Sequence, residues 1–173
     1  MRDILLVIDM QNDFIDGSLG TKEAEAVVDA IVSEIGKYPQ QNVIATRDTH
    51  EENYLETQEG KKLPVKHCIK GTDGWSINNK IAAALGGAEV INKPAFGSKT
   101  LAEKIADMAE KEDITVTLMG LCTDICVVSN ALMIKAYAPE VPVKVIASCC
   151  AGVTPESHEA ALITMRMCQV EVV

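Results

Sequence analysis

The sequence lacks several features that would assign it to common classes of protein. No apolar run reaches the roughly 18 residues of a membrane span, and the first apolar stretch, residues 4–8, is followed at once by an acid. No basic cluster occurs, and 25 Asp and Glu outnumber 16 Lys and Arg, for a net charge of −9. Because such a surface repels phosphate, we expect neither nucleic-acid nor membrane binding, and we expect a cytoplasmic protein.

Two nucleotide-binding motifs are absent as well. No G-x-G-x-x-G follows the first apolar run, and no G-x-x-x-x-G-K-[ST] occurs anywhere, so dinucleotide and P-loop sites are disfavoured. Aromatic residues are scarce, with one Trp, three Tyr and two Phe, so the core must be built from aliphatic residues and Met. In a cytoplasmic protein the six cysteines are expected to be thiols and not a disulfide framework.

The apolar residues that are present predict alternating strands and helices in a single domain over residues 1–173. Short runs rich in Val and Ile are typical of strands buried on both faces, at residues 4–9, 42–46, 88–91, 114–119, 143–147 and 170–172. Such alternation predicts an α/β fold with three layers, α/β/α, around a central, mostly parallel sheet of six strands.

Helical periodicity fills most of the intervals between these runs. Apolar stripes at helical spacing predict two helices, one through Ala24, Val27, Val28, Ile31 and Ile35 and one through Leu101, Ile105 and Met108. Thr100 and Glu103 are predicted to form a capping box for the second of these. We expect a third helix over residues 123–137 and a fourth after Thr154, with Pro155 at its first position.

The interval of residues 47–80 is the exception, since it is polar and holds two of the three histidines. A loop of this length inside a small domain usually carries function. In a parallel sheet the ligand lies beyond the carboxyl ends of the strands. The residues predicted at that edge are Asp9, Asp48, Lys93 and the segments 120–123 and 147–150.

Cys126 is the first candidate for chemistry. It follows a predicted strand in GLCTDICVV and lies in the first turn of a helix, where unpaired N–H groups and the helix dipole favour a thiolate. The same N–H groups can hold an oxyanion during acyl transfer. The alternative is a buried cysteine that packs as a small hydrophobic residue.

Asp9 and Lys93 are candidates to assist that thiol. Asp9 ends the first strand in IDMQNDF, and partial burial would raise its pKa and make it a base for a thiol proton. Lys93 precedes Pro94, which favours an extended backbone, so the cation can point along the sheet edge toward the site. A carboxylate that caps a loop and a solvated lysine are the ordinary alternatives.

Asp48 and His50 in RDTH form, with His67, a candidate metal site. Residues two apart on an extended strand share a side, and a carboxylate with two imidazoles suits Zn²⁺, Fe²⁺ or Mn²⁺. Four acids of the same loop are candidates for a fourth ligand or a supporting contact: Glu51, Glu52, Glu56 and Glu59. Two surface histidines without a metal remain the alternative.

Together these residues resemble the isochorismatase-like cysteine hydrolase superfamily, and within it the nicotinamidase branch. The resemblance covers nearly the whole chain and rests on IDMQNDF, RDTH, HC-x-x-G-T, the lysine of NKP and GLCTDICV. It implies that Asp9, Lys93 and Cys126 are a catalytic triad, and that the metal ligands are Asp48, His50 and His67.

The resemblance carries further implications for the site. It implies a cis peptide bond between Leu121 and Cys122, an oxyanion hole formed by the N–H groups of Cys122 and Cys126, and a substrate pocket that includes Phe14 and Leu121. It also implies a fourth metal ligand, either Glu56 or Glu59, between which spacing does not choose. Homo-oligomers are common in the superfamily, so one is possible here.

The implied function is hydrolysis of a small-molecule amide, nicotinamide to nicotinate and ammonia, through a thioester on Cys126, with zinc as the expected metal. Pro64 stands where many nicotinamidases have an aromatic residue, and Phe96 is the only aromatic residue shortly after Lys93. These departures leave open another amide or carbamoyl hydrolase of the superfamily, of N-carbamoyl-amine or ureidoacrylate type. A non-catalytic binding protein with the same fold is a further alternative.

Overall fold

A computed structural model describes residues 1–173, and six strands form one sheet at its centre. The strand order is β3-β2-β1-β4-β5-β6, and every neighbouring pair is parallel. The α/β prediction is therefore confirmed, with a sheet that is parallel throughout. The strands are β1 Arg2–Ile8, β2 Val43–Asp48, β3 Glu89–Lys93, β4 Ile114–Leu121, β5 Val143–Ala151 and β6 Glu171–Val172.

Helices and turns connect the strands. The α-helices are α1 Asn12–Ile15, α2 Lys22–Ile35, α3 Gln58–Lys62, α4 Asn79–Leu85, α5 Lys99–Ala109, α6 Val128–Tyr137 and α7 Pro155–Met167. Two 3₁₀ turns, Gln40–Asn42 and Tyr54–Glu56, and one π-helical turn, Thr123–Val127, complete the regular elements. No helix is both long enough and apolar enough to span a bilayer.

The helix termini follow the local sequence, with two corrections. Thr154 caps α7 and Pro155 is its first residue, as predicted. The predicted capping box of Thr100 and Glu103 is wrong: the cap lies two residues earlier, at Ser98, which accepts a hydrogen bond from Leu101 N at 3.1 Å. The third predicted helix begins at Thr123, but its first five residues form the π-helical turn and α6 starts at Val128.

The topology concentrates polar residues at the middle of one sheet edge. The chain runs from β1 to β2 and β3 on one side and from β4 to β5 and β6 on the other, so the order reverses between β1 and β4. A crevice forms at such a reversal, beyond the carboxyl ends of the strands. There Gly120 has φ 124° and contacts Ile8 so closely that any Cβ would collide with its carbonyl oxygen. The end of β1 and the turn after β4 are thereby held together.

Candidate active site

Four buried polar side chains meet at the carboxyl edge of the sheet. Asp9 follows β1, Asp48 ends β2, Lys93 ends β3 and Cys126 lies in the turn after β4. None of them is more than 3% exposed. Since charged side chains are seldom buried without partners, this concentration of ionic groups is typical of a functional site.

Lys93 occupies the centre of the group. Its Nζ lies 2.6 Å from Asp9 Oδ2 and 3.3 Å from Asp48 Oδ1, and it donates to the carbonyl of Ala95 at 3.0 Å and to Cys126 Sγ at 3.4 Å. Burial by itself would lower the pKa of Lys93, but the acidic groups around it, Asp9 foremost, raise that pKa. The side chain is therefore a fixed cation that links both carboxylates to the thiol.

Asp9 is held in a conformation that its own sequence would not favour. Its φ is 48°, which is unusual for a residue other than glycine, and Thr46 Oγ1 donates to its Oδ1 at 2.7 Å. Burial raises the pKa of Asp9 more than the charge of Lys93 lowers it. Its Oδ2 lies 2.6 Å from the ammonium of Lys93, so the carboxylate is ion-paired inside the protein.

The surroundings of Cys126 oppose ionisation of its thiol. Burial raises its pKa well above the ordinary value, and the carboxylate of Asp9 raises it further, against the opposing charge of Lys93. Burial thus works against the thiolate that the start of a helix favours. Removal of the thiol proton would require a base, and Asp9, whose carboxylate acts on the pKa of this thiol, is the candidate.

A cleft of about 650 Å³ is lined by Cys126 and Asp48, whereas Asp9 and Lys93 lie buried behind its lining. Phe14 lines it, as expected, and so does Cys122, whose pKa burial raises to about 12. The prediction that Leu121 lines the cleft is wrong, because its side chain is wholly buried in the core. The peptide bond between Leu121 and Cys122 is cis, as the resemblance implied. The other apolar residues of the lining are Leu19, Leu63, Pro94, Ala95, Phe96 and Ile125.

A second cluster lies at the same cleft and fits a divalent metal. One ligand atom each of Asp48, His50, Glu59 and His67 lies within 4.8 Å of all the others. Asp48 Oδ2 is 3.1 Å from Nε2 of His50 and 3.9 Å from Nε2 of His67. Glu59 Oε1 is 3.7 Å and 3.6 Å from the same two nitrogens. Ligands about 2.1 Å from a tetrahedral Zn²⁺ are about 3.4 Å apart, which matches this spacing.

The hydrogen bonding of the two imidazoles supports the same assignment. His67 Nδ1 faces the carbonyl of Val65 at 2.9 Å, which favours a proton on Nδ1 and leaves the Nε2 lone pair free for a metal. His50 Nε2 is buried beside the oxygens of Asp48 and Glu59, at 3.1 Å and 3.7 Å, without a hydrogen bond of good alignment, an arrangement that a shared metal ion explains. Glu59, on α3, completes the group, whereas Glu56 is exposed. The structure therefore favours Glu59 over Glu56 as the fourth member of the cluster, a choice that the sequence spacing left open.

Three supporting residues escaped sequence reasoning. Tyr54 is fully buried, and its ring centroid lies 4.7 Å from that of His50 and 4.9 Å from that of His67. The Gln11 side chain accepts from the N–H of Asp48 at 2.7 Å and donates to its carbonyl at 2.8 Å. Asp13 Oδ2 accepts from the N–H of Cys68 at 2.7 Å. Gln11 and Asp13 stand in the motif that drew attention to Asp9, which was the one available signal.

Comparisons with known proteins agree with the observed fold. The profile of the isochorismatase domain matches residues 3–173. The nicotinamidase/pyrazinamidase of Mycobacterium tuberculosis is 26% identical over 98% of this chain and 97% of its own. The crystal structure of a pyrazinamidase/nicotinamidase from Streptococcus mutans superposes with a TM-score of 0.82 at 26% identity, covering 99% of both chains. That of a Pyrococcus horikoshii pyrazinamidase in complex with zinc gives 0.79 at 24% identity, covering 100% of this chain and 99% of the other.

Proposed function

The chain belongs to the isochorismatase family and is a hydrolase of amide bonds, and we propose that its substrate is nicotinamide, which it converts to nicotinate and ammonia. The observation that carries the proposal is the position of Lys93. Its ammonium group contacts the carboxylate of Asp9, the thiol of Cys126 and the carboxylate of Asp48, which also belongs to the candidate metal site. A nucleophile, a base and a site that orients a ring are thus adjacent.

In the proposed first half-reaction, Asp9 accepts the proton of the Cys126 thiol and the sulfur attacks the amide carbon. The N–H groups of Cys122 and Cys126 hold the oxyanion that develops on the carbonyl oxygen. Protonated Asp9 then returns the proton to the amide nitrogen, the C–N bond breaks and ammonia leaves. A thioester between the substrate's acyl group and Cys126 remains.

In the second half-reaction, water replaces ammonia beside Asp9. The carboxylate of Asp9 removes a proton from the water while the water oxygen attacks the thioester carbon. The C–S bond then breaks and releases the acid. The proton returns to the sulfur. Lys93 stays charged throughout and stabilises the Cys126 sulfur whenever it is anionic, so its role is electrostatic.

We further propose that Asp48, His50, His67 and Glu59 hold a divalent metal, with zinc as our choice and Fe²⁺ or Mn²⁺ as alternatives. When bound, the ion supplies a Lewis acid that orients a ring nitrogen of the substrate. The fully buried ring of Tyr54 packs on both imidazoles, and Gln11 fixes the backbone of Asp48. These contacts hold the ligands in place before any ion arrives.

A second candidate, a hydrolase of N-carbamoyl or ureido compounds that bear a carboxylate, is favoured by one observation. Lys62 lines the cleft and forms no ion pair with an acidic side chain, so it can receive an anionic group. This reaction would use the same three residues, Asp9, Lys93 and Cys126. A small-molecule amide or ureide remains the class of substrate in either case.

The test is ammonia release from nicotinamide and from N-carbamoyl amino acids by metal-replete protein, with the Cys126→Ala variant beside it. We expect nicotinamide to be the better substrate by kcat/KM and the variant to be inactive. Preference for the carbamoyl compounds would transfer the assignment to the second candidate. Ammonia release that persists in the variant would contradict both.

A further inference from the structure

One side of the cleft is formed by residues 94–98, here called the wall segment. It leaves β3 directly after Lys93 and ends at Ser98, the cap of α5. Pro94, Ala95 and Phe96 line the cleft, and the side chain of Phe96 is 44% exposed there. The segment makes no strand hydrogen bonds, and its helical ones are confined to Ser98, which caps α5 and accepts from Ala102 N at 3.0 Å. The position of residues 94–97 therefore depends on their other contacts.

A single buried side chain on α6 attaches it. Asn130 is 1% exposed and lies one helical turn after Cys126. Its Nδ2 donates to the carbonyl of Cys126 at 2.8 Å and to that of Phe96 at 3.1 Å. Its Oδ1 accepts from the N–H of Ser98 at 2.9 Å. The carbonyl of Phe96 and the N–H of Ser98 have no other hydrogen-bond partner in the protein.

Besides Asn130 and the cap at Ser98, the wall segment has one contact on each side of Phe96, and neither fixes the position of Phe96 itself. Lys93 Nζ donates to the carbonyl of Ala95, which fixes the beginning of the segment. Gly97 packs directly against α6, where any Cβ would collide with the sulfur of Met133. Between these points only Asn130 joins the segment to the backbone of the residue that carries the reactive thiol.

We propose that Asn130 is a positioning residue that fixes the wall segment relative to Cys126 and thereby limits the size of the molecule that reaches the thiol. The inference rests on the proposed function in one respect only, namely that substrates must reach the sulfur of Cys126. Three backbone groups share one amide whose hydrogen bonds are satisfied inside the protein, so the width of the cleft is set by a rigid contact.

The Asn130→Asp variant tests the contact with little change in shape. The carboxylate retains an acceptor for Ser98 but replaces the donating amide, so it faces the carbonyls of Phe96 and Cys126 with an oxygen. The wall segment should then separate from α6 at Phe96. The matched control is Asn78→Asp, at the cap of α4, where the side chain accepts from Lys80 N at 3.0 Å and does not line the cleft.

The measurement is the rate at which Cys126 is alkylated, followed by mass spectrometry of its peptide, with iodoacetamide and with the bulkier N-benzyl-iodoacetamide. We expect the ratio of the bulky to the small rate to rise about fivefold or more in Asn130→Asp, as loss of a hydrogen bond implies, and to stay unchanged in Asn78→Asp. An unchanged ratio in Asn130→Asp, whatever the absolute rates, would overturn the proposal, and so would an equal rise in the control.

Neither reagent requires turnover, so this outcome is independent of whether nicotinamide is the substrate. If Asn130→Asp does not fold, hydrogen exchange of the wild-type protein decides instead. The amide of Ser98 should exchange as slowly as the amides of α6, because its only acceptor is the buried Asn130. Exchange at the rate of an exposed loop would show that the wall segment is not held and would overturn the proposal.

Discussion

The two groups of polar residues at the cleft are supported by different kinds of backbone. Asp9, Lys93 and Cys126 stand at the ends of buried strands or in the turn that follows one, and the sheet fixes their separation. His50, Glu59 and His67 lie in the connection between β2 and α4, on short turns. Asp48 belongs to both groups, since its Oδ1 faces Lys93 and its Oδ2 faces His50.

This difference in backbone support corresponds to two proposed tasks, bond-making and substrate binding. The strand ends are rigid and place a base and a nucleophile with little freedom, as bond-making requires. The two loop histidines depend on side-chain contacts, above all with the ring of Tyr54, and belong to the part of the site that we propose orients the substrate. Substitutions in the first group should therefore affect the chemical step, and substitutions in the second should affect binding.

The largest effect is expected from Cys126→Ala. Without the sulfur no thioester forms, so ammonia release should fall on the order of 10⁴-fold or more while metal content stays at the wild-type level. The control is Cys168→Ala, since Cys168 is an exposed thiol remote from the cleft lining and its loss should change neither quantity. Loss of metal in Cys126→Ala would mean that the two groups are not separable.

Lys93→Met removes the residue that joins the two groups. It leaves the buried carboxyls of Asp9 and Asp48 without their cation, so we expect the free energy of unfolding to fall by about 3–5 kcal/mol in urea denaturation. The control is Lys144→Met, whose exposed pair with Glu171 at 3.4 Å should cost less than about 1 kcal/mol. Equal costs for the two variants would contradict the central position of Lys93.

His50→Ala should act on the loop group alone. We expect metal affinity to fall at least about tenfold and KM to rise, with alkylation of Cys126 unchanged, because the strand ends do not depend on this imidazole. The control is His158→Ala, since His158 lies 2.8 Å from Thr123 Oγ1 and outside the metal cluster. Full metal occupancy in His50→Ala would remove His50 from the proposed ligands.

The smallest effect is expected from Thr46→Val, which removes the hydrogen bond to Asp9 Oδ1. Burial holds the pKa of Asp9 above its usual range, and the bond from Thr46 partly opposes that rise. The base must be ionised to act, so kcat/KM should fall as the pH drops through this raised pKa. In Thr46→Val the acidic limb of the pH profile should move upward, because the contact that lowers the pKa of Asp9 is lost. A downward shift would contradict the role of Asp9 as base.

The strand ends were predictable from sequence because their signal is local. Strands buried on both faces read as continuous apolar runs, and the first polar residue after each run lies at the ligand edge whatever the connections do. Asp9 directly follows the apolar residues of β1, whereas Asp48 and Lys93 each lie two residues beyond the predicted runs, 42–46 and 88–91, and reach the same edge because β2 and β3 extend to them. The rule does not reach Leu121, whose position before the turn says nothing about the direction of its side chain, and the structure places that side chain in the core.

The loop group was only partly predictable, for a physical reason. Spacing cannot choose between Glu56 and Glu59, because the choice depends on how residues 49–67 fold back on the sheet. Tyr54 and Asn130 carry no sequence signal, since a buried aromatic residue and a helical asparagine have many ordinary roles. Their contacts arise only when segments distant in the chain come together, as when Asn130 meets Phe96 and Ser98.

The most direct test of the central claim is rapid-quench mass spectrometry of the metal-replete protein during turnover of nicotinamide. The account predicts a nicotinoyl adduct on the peptide that contains Cys126, formed no more slowly than ammonia is released and absent from Cys126→Ala. Ammonia release at the full rate with no adduct on that peptide at any time would contradict a covalent role for Cys126.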